Sequence, residues 1–232
     1  MMQTHLKHLM QMVPNLKSRQ VIDVGAGDGT FLIDCARNEI CASGIELNPE
    51  KVKAGLARAL DLGISIDLIE GNAENIPYSE SSFDFVNLSE TIEHVRFPEK
   101  VVSETFRVLA SGGYAYISVP NRFSWYDTHF HIPFVNWLPR RWSDAYISLW
   151  GKHKKYLVDT KSDFQRLAEM HYYTFPEAQR LFNKAGFEVK DLRMQKLYRR
   201  FGNGFVSMCV LIVYQFLRPW YFRAFHFLVY KP

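Results

Sequence analysis

Cysteine is scarce, and the three present, Cys35, Cys41 and Cys209, form no C-x-x-C pair and leave an odd one over. A disulfide framework and a cysteine-rich zinc site are thereby excluded, and a reducing cytoplasm is the expected compartment. Long apolar runs are missing too. The uncharged stretch Phe201 to Leu217 is interrupted by Gly202, Asn203, Gly204 and Gln215 and falls short of the roughly 20 residues of a spanning helix. Met1 to Pro14 lacks the continuous apolar core of a secretory signal, being broken by His5, Lys7, His8 and Gln11, and reads as a short amphipathic helix. Internal repeats and low-complexity segments are absent.

What is there is the composition of a globular protein: 232 residues, 47% hydrophobic and 22% charged, enough for one well-packed domain with an elaborated edge. The net charge of +4 is unevenly placed, with basic residues concentrated in Leu138 to Arg166 and Lys190 to Arg200. That half of the chain invites either an anionic partner or plain solvation.

Five short apolar runs, Gln20 to Val24, Ile40 to Ile45, Ile64 to Ile69, Phe83 to Leu88 and Tyr114 to Val119, read as buried strands. Between them, Thr30 to Asn38, Pro49 to Leu62 and Pro98 to Leu109 have helical spacing, with Pro49 and Pro98 suited to a first turn. Alternating strands and helices imply right-handed crossovers and a parallel sheet covered on both faces. A later helix, Phe175 to Lys184, leads to a sixth strand over Phe187 to Leu197, and Arg223 to Tyr230 makes a seventh. The expected organisation is one domain: an N-terminal helix (1–18), a core (19–121), an aromatic, basic insertion on the substrate side (122–173) and a C-terminal part (174–232).

Val21-Ile22-Asp23-Val24-Gly25-Ala26-Gly27-Asp28-Gly29 puts three glycines between the first strand and the first crossover helix. Such a loop lets the backbone turn sharply and approach a ligand closely. Its G-x-G-x-G spacing is neither the dinucleotide G-x-G-x-x-G nor a P-loop. The second strand ends in Gly44-Ile45-Glu46-Leu47-Asn48, where a carboxylate can accept from both hydroxyls of a ribose.

These segments, with EGNAENIPY at 70–78, FDFVNLSETIEHV at 83–95 and LASGGYAYISVPN at 109–121, resemble in order the motifs of class I S-adenosylmethionine-dependent methyltransferases. The resemblance is to the subgroup similar to ubiquinone-biosynthesis and related small-molecule enzymes. It implies an α/β, Rossmann-like seven-stranded, mostly parallel sheet with an antiparallel last strand. It also implies that S-adenosylmethionine is the cofactor and S-adenosylhomocysteine its product. By the same resemblance Gly25, Ala26, Gly27 and Gly29 cradle the methionine part, Asp23 lies near its amino group and Glu46 with Leu47 meets the ribose. Asn72 and Ala73 edge the adenine, and Ser89 and Glu90 line the site near the sulfonium. Asn72 departs from the subgroup's usual Asp, although an amide oxygen can accept the same bond.

Methyl transfer expels a neutral thioether, so no leaving group needs a proton, and a base is useful only for an acceptor such as a hydroxyl. His94, after the fourth strand, and His129 and His131, after the fifth, are the candidates. His-x-His beside Asp127 lacks further clustered ligands, so no metal is expected. Ser89-Glu90-Thr91 stands where enzymes similar to adenine-amino methyltransferases carry Asn/Asp-Pro-Pro-Tyr, which argues against base methylation and against DNA as a partner. The expected acceptor is a small or lipid-like molecule, a quinone or a saccharide, methylated on oxygen. Two alternatives are an RNA enzyme holding phosphates with Arg140, Arg141, Lys152, Lys154 and Lys155, and a non-catalytic scaffold. Phe201 to Leu217 is expected either to pack as a helix between the last two strands or to touch a membrane peripherally.

Overall fold

The computed structural model describes residues 4–149, 166–202 and 204–232. Helix α1 (Thr4–Met12) precedes strand β1 (Val21–Val24), helix α2 (Thr30–Arg37), β2 (Ala42–Glu46), α3 (Pro49–Asp61), β3 (Asp67–Glu70), β4 (Phe83–Leu88), α4 (Pro98–Val108) and β5 (Leu109–Pro120). The insertion contributes α5 (Arg140–Leu149), after which come α6 (Phe175–Lys184), β6 (Glu188–Asp191), α7 (Leu192–Phe201), α8 (Phe205–Tyr221) and β7 (Ala224–Tyr230). The sheet runs β3-β2-β1-β4-β5-β7-β6. Strands β1 to β5 are mutually parallel, and β7 is antiparallel to both β5 and β6.

All four residues of β1 are buried, as a central strand covered on both faces requires. One face carries Ile22, Val24, Ile45, Val86, Leu88, Ile117, Val119 and Phe227 and is covered by Val101 and Val102 of α4 and Phe182 of α6. The other carries Val21, Phe85, Tyr116 and Leu228 under Leu6 and Leu9 of α1 and Cys35 of α2. Helix starts follow local chemistry. The Asn48 side chain accepts from the Glu50 and Lys51 N–H groups ahead of α3, and Thr174 with Glu177 forms a capping box on α6.

The seven-stranded sheet, the crossover helices and the antiparallel last strand agree with the sequence reading. The sixth strand does not. The continuous strand expected over Phe187 to Leu197 ends at Asp191, where α7 begins. The Asp191 carboxylate accepts from the Arg193 and Met194 N–H groups, and an Asx cap of this kind turns an extended chain into a helix. The uncharged stretch starting at Phe201 falls at the end of α7 and in α8, between β6 and β7. Among the described residues no helix is long and apolar enough to cross a membrane.

Sheet order reverses between β1 and β4, the strands reached by crossovers in opposite directions. Such a switch point leaves a crevice outside the strands' carboxyl ends, where α/β proteins bind ligands. The insertion stands over the end of β5 and has a small core of its own, Phe130, Ile132, Val135, Ile147, Leu167 and Met170.

Candidate active site

The loop after β1 is held by its own backbone. Gly25 and Ala26 N–H both donate to Ile45 O at 2.9 Å, and Gly27 N–H donates to Glu46 Oε2 at 2.9 Å. The other Glu46 oxygen accepts from Asn48 N–H at 3.0 Å. Glu46 therefore ties the glycine loop to the end of β2 while each oxygen keeps acceptor capacity. Gly25 has φ +79°, and a Cβ there would lie 2.3 Å from Thr91 Oγ1, so both backbone and space demand glycine. Gly27 has φ +56° and faces open space, as a cradle for a close-lying ligand should.

Asp23 is 4% exposed and accepts from Asn87 Nδ2 at 2.6 Å. Asn87 Oδ1 in turn meets His5 Nε2 at 3.0 Å. Burial, against the Asn87 bond and with the help of Glu46, raises the Asp23 pKa to about 7. Asn72 spends its side-chain oxygen on Glu74 N–H at 2.8 Å, Ala73 is packed into the core, and Leu47 is exposed. Asp23 lies within β1, and Leu47, Asn72, Ala73, Ser89 and Glu90 follow β2, β3 and β4, its neighbours along one sheet edge. Glu90 has a left-handed backbone, φ +53°, fixed by a bond from its N–H to Ser118 Oγ at 2.9 Å. Crowding by protein and the neighbouring Glu93 raise its pKa.

The three histidines part company. His131, at φ +58°, is exposed beside Tyr126. His129 is buried and meets His94 edge-on, ring centroids 5.3 Å apart. Both imidazoles approach Glu93, His129 Nε2 at 3.4 Å and His94 Nε2 at 4.0 Å from Oε1. Glu93 is 0% exposed, and among the described residues its oxygens meet no side-chain donor other than these two imidazoles. On the far side of His129, Nδ1 meets Tyr172 OH at 2.8 Å, and Tyr172 donates to Asp127 Oδ2 at 2.7 Å. Both ring nitrogens of His129 thus have a partner, Nδ1 the Tyr172 hydroxyl and Nε2 the Glu93 carboxylate. Burial lowers the His129 pKa, but Glu93, Asp127 and Glu90 outweigh it, and the net shift is upward. Glu93, His94 and His129 each place a potential ligand atom within 4.8 Å of the others, a set of donors a divalent ion would also accept.

Sequence reasoning passed over Glu93 and Tyr172 as site residues and weighed Asp127 only as a metal ligand. Glu93 stands beside His94 in a motif already singled out, whereas Tyr172 is brought in from far along the chain when Tyr173 pairs with Asn121 at the end of β5. Arg140, offered for a phosphate, lies over the Tyr172 ring at 4.6 Å and donates to Leu167 O. Lys152, Lys154 and Lys155 lie outside the described residues.

A family model for a methyltransferase domain matches residues 2–192, and the chain belongs to that family. Two curated relatives illustrate its range. The chain is 30% identical over 193 residues to a ubiquinone/menaquinone biosynthesis C-methyltransferase of Bartonella bacilliformis, covering 78% of this chain and 68% of that one. It is 38% identical over 102 residues to norajmaline N-methyltransferase of Rauvolfia serpentina, covering 43% and 35%. The fold is similar to that of a SAM-dependent methyltransferase from Methanosarcina mazei, TM-score 0.61 at 18% identity, covering 99% of this chain and 97% of the other.

Proposed function

We propose that this methyltransferase moves the methyl group of S-adenosylmethionine to an oxygen of a small-molecule, quinone-like, lipid-like or saccharide acceptor, with His129 as the base. Support for the donor comes from the open cradle at Gly27 beside Glu46. The donor supplies an electrophilic methyl group on a sulfonium; the chain's own residues orient the partners and take one proton. Gly25, Gly27 and Glu46 hold the donor, Asp23 answers its ammonium group, and Ser89 and Glu90 face the acceptor side.

The observation that carries the acceptor reading is the buried relay Asp127–Tyr172–His129–Glu93. A proton leaving an acceptor hydroxyl is taken up by the His129–Glu93 pair, and the imidazolium so formed faces the Glu93 carboxylate. His94 shares the Glu93 oxygen and positions the pair; His131 belongs to the outer surface of the insertion. The base must be neutral to work, so the rate of transfer should rise with pH through a pKa above the ordinary 6.5 of histidine.

The test is the pH profile of kcat/KM for a phenolic acceptor. Glu93→Gln removes the leading group that raises His129, so its limb should move to lower pH. His129→Gln should lose roughly 100-fold to 10,000-fold in kcat, the usual share of a positioned base, while donor affinity holds. An unshifted limb in Glu93→Gln would overturn the relay. Chelation with EDTA should leave turnover unchanged; loss restored by Mg²⁺ or Zn²⁺ would assign Glu93, His94 and His129 to a metal ion instead.

A further inference from the structure

Helix α8 is turned inside out. Its inward stripe carries Ser207, Leu211, Tyr214 and Arg218, of which Tyr214 and Arg218 contact Asp191. Its outward face carries Phe205, Val206, Met208, Ile212, Val213 and Phe216, with Phe205 75% and Phe216 76% exposed. Single exposed apolar residues are ordinary on a protein surface, but a contiguous face of them marks an interaction site. The face continues past the helix: Trp220 meets Phe123 and Trp137, ring centroids 5.7 and 6.2 Å apart, and Trp137 meets Phe134 at 5.2 Å. Trp137 and Phe134 are themselves exposed.

Charge narrows the choice of occupant. From Leu192 to Pro232 there is no Asp or Glu, and α7, packed beside α8, exposes Lys196, Arg199 and Arg200. An aliphatic face with tryptophans at one end and unopposed cations alongside is the make-up of a helix that lies in a bilayer interface. At 17 residues, α8 is about 25 Å long at 1.5 Å per residue, short of the hydrocarbon core of about 30 Å. We propose that α8 and its adjoining aromatic edge seat the protein on an anionic lipid bilayer, the helix lying in the plane of the interface. The Asn121 side chain at the end of β5 donates to Pro219 O and Phe222 O at 3.0 and 2.7 Å. That tether fixes the docking face beside the segment that carries His129. The inference does not depend on which acceptor is methylated.

Flotation of the full chain with vesicles of phosphatidylcholine alone, or of phosphatidylcholine with phosphatidylglycerol, tests it. The protein should float with the anionic vesicles only and be released by raised salt. Ile212→Ser with Phe216→Ser, and separately K196E/R199E/R200E, should each weaken that partition tenfold or more. Circular dichroism and melting read on the same variants show that they fold, and vesicle binding is read without turnover, so failure here is distinct from failure of the acceptor reading. Absence of partition, or equal partition onto both vesicles, overturns the proposal. So does a dimer in sedimentation that I212S/F216S converts to monomer, because the face would then belong to a second copy.

Discussion

Glu46, proposed to meet the donor's ribose, also ties the glycine loop to β2. Its position at the end of β2 made it the ribose candidate, while the bond it accepts from Gly27 N–H is invisible in a linear reading because it depends on the two strands being neighbours. Glu46→Ala should therefore weaken binding of S-adenosylmethionine by at least tenfold in calorimetry. It deletes a charged acceptor, worth about 1.5–3 kcal/mol per hydrogen bond, and slackens the loop as well. Glu46→Gln, which keeps one carbonyl oxygen, should recover part of the loss. Unchanged affinity in Glu46→Ala would remove it from the donor site. The glycines and Glu46 were legible because their types are dictated locally, by backbone conformation and acceptor chemistry. Tyr172 was not, since its role exists only once the insertion has folded back on β5.

At the scale of elements, regular strands and capped helices were readable, and the failures sit at a change of period. Phe187, Val189 and Asp191 alternate like a strand, and nothing apolar announces that the next residues wind into α7. The Asp191 carboxylate decides it, capping α7 through one oxygen and accepting from Tyr214 OH at 2.6 Å through the other. Both elements, α7 and α8, thus lean on one buried carboxylate. Asp191→Ala loses a cap worth about 0.5–2 kcal/mol and leaves the Tyr214 hydroxyl unpaired at a further cost of about 1–3 kcal/mol. Urea unfolding should show a destabilisation of about 3 kcal/mol, whereas Tyr214→Phe should cost about 1 kcal/mol because no orphaned donor remains. Equal losses in the two variants would contradict the shared role.

For the molecule as a whole, the half that carries the donor motifs was written in local patterns and the half after β5, proposed to meet the acceptor, was not. The former rests on a sheet edge whose geometry is common to the fold, the latter on a satellite core around Phe130 and Ile147 assembled from distant residues. One whole-molecule consequence concerns acidity. Asp23 is protonated in the folded protein up to a pKa of about 7, well above its unfolded value near 3.9. Between those values the native state holds the extra proton, so this group makes stability fall as pH rises from about 4 to 7. In the proposed donor site the ammonium group lies by Asp23, so binding should favour the ionised carboxylate and offset that loss. The increase in Tm caused by S-adenosylmethionine should grow from pH 6 to pH 8, and Asp23→Asn should flatten the trend. A pH-independent increase in the unmodified protein would mean that Asp23 does not sense the donor.

Sheet order also bears on how the chain is made. Of the seven strands β7 is the last in sequence, yet it lies between β5 and β6, and among the described residues β6 pairs with no other strand. During synthesis strands β1 to β5 can assemble first, while the open flank of β5 stays unpaired and β6 lacks its pairing strand until residue 230 emerges. A nascent chain stalled before β7 would present β5 as a bare strand edge, the kind of unpaired edge that invites pairing with another chain.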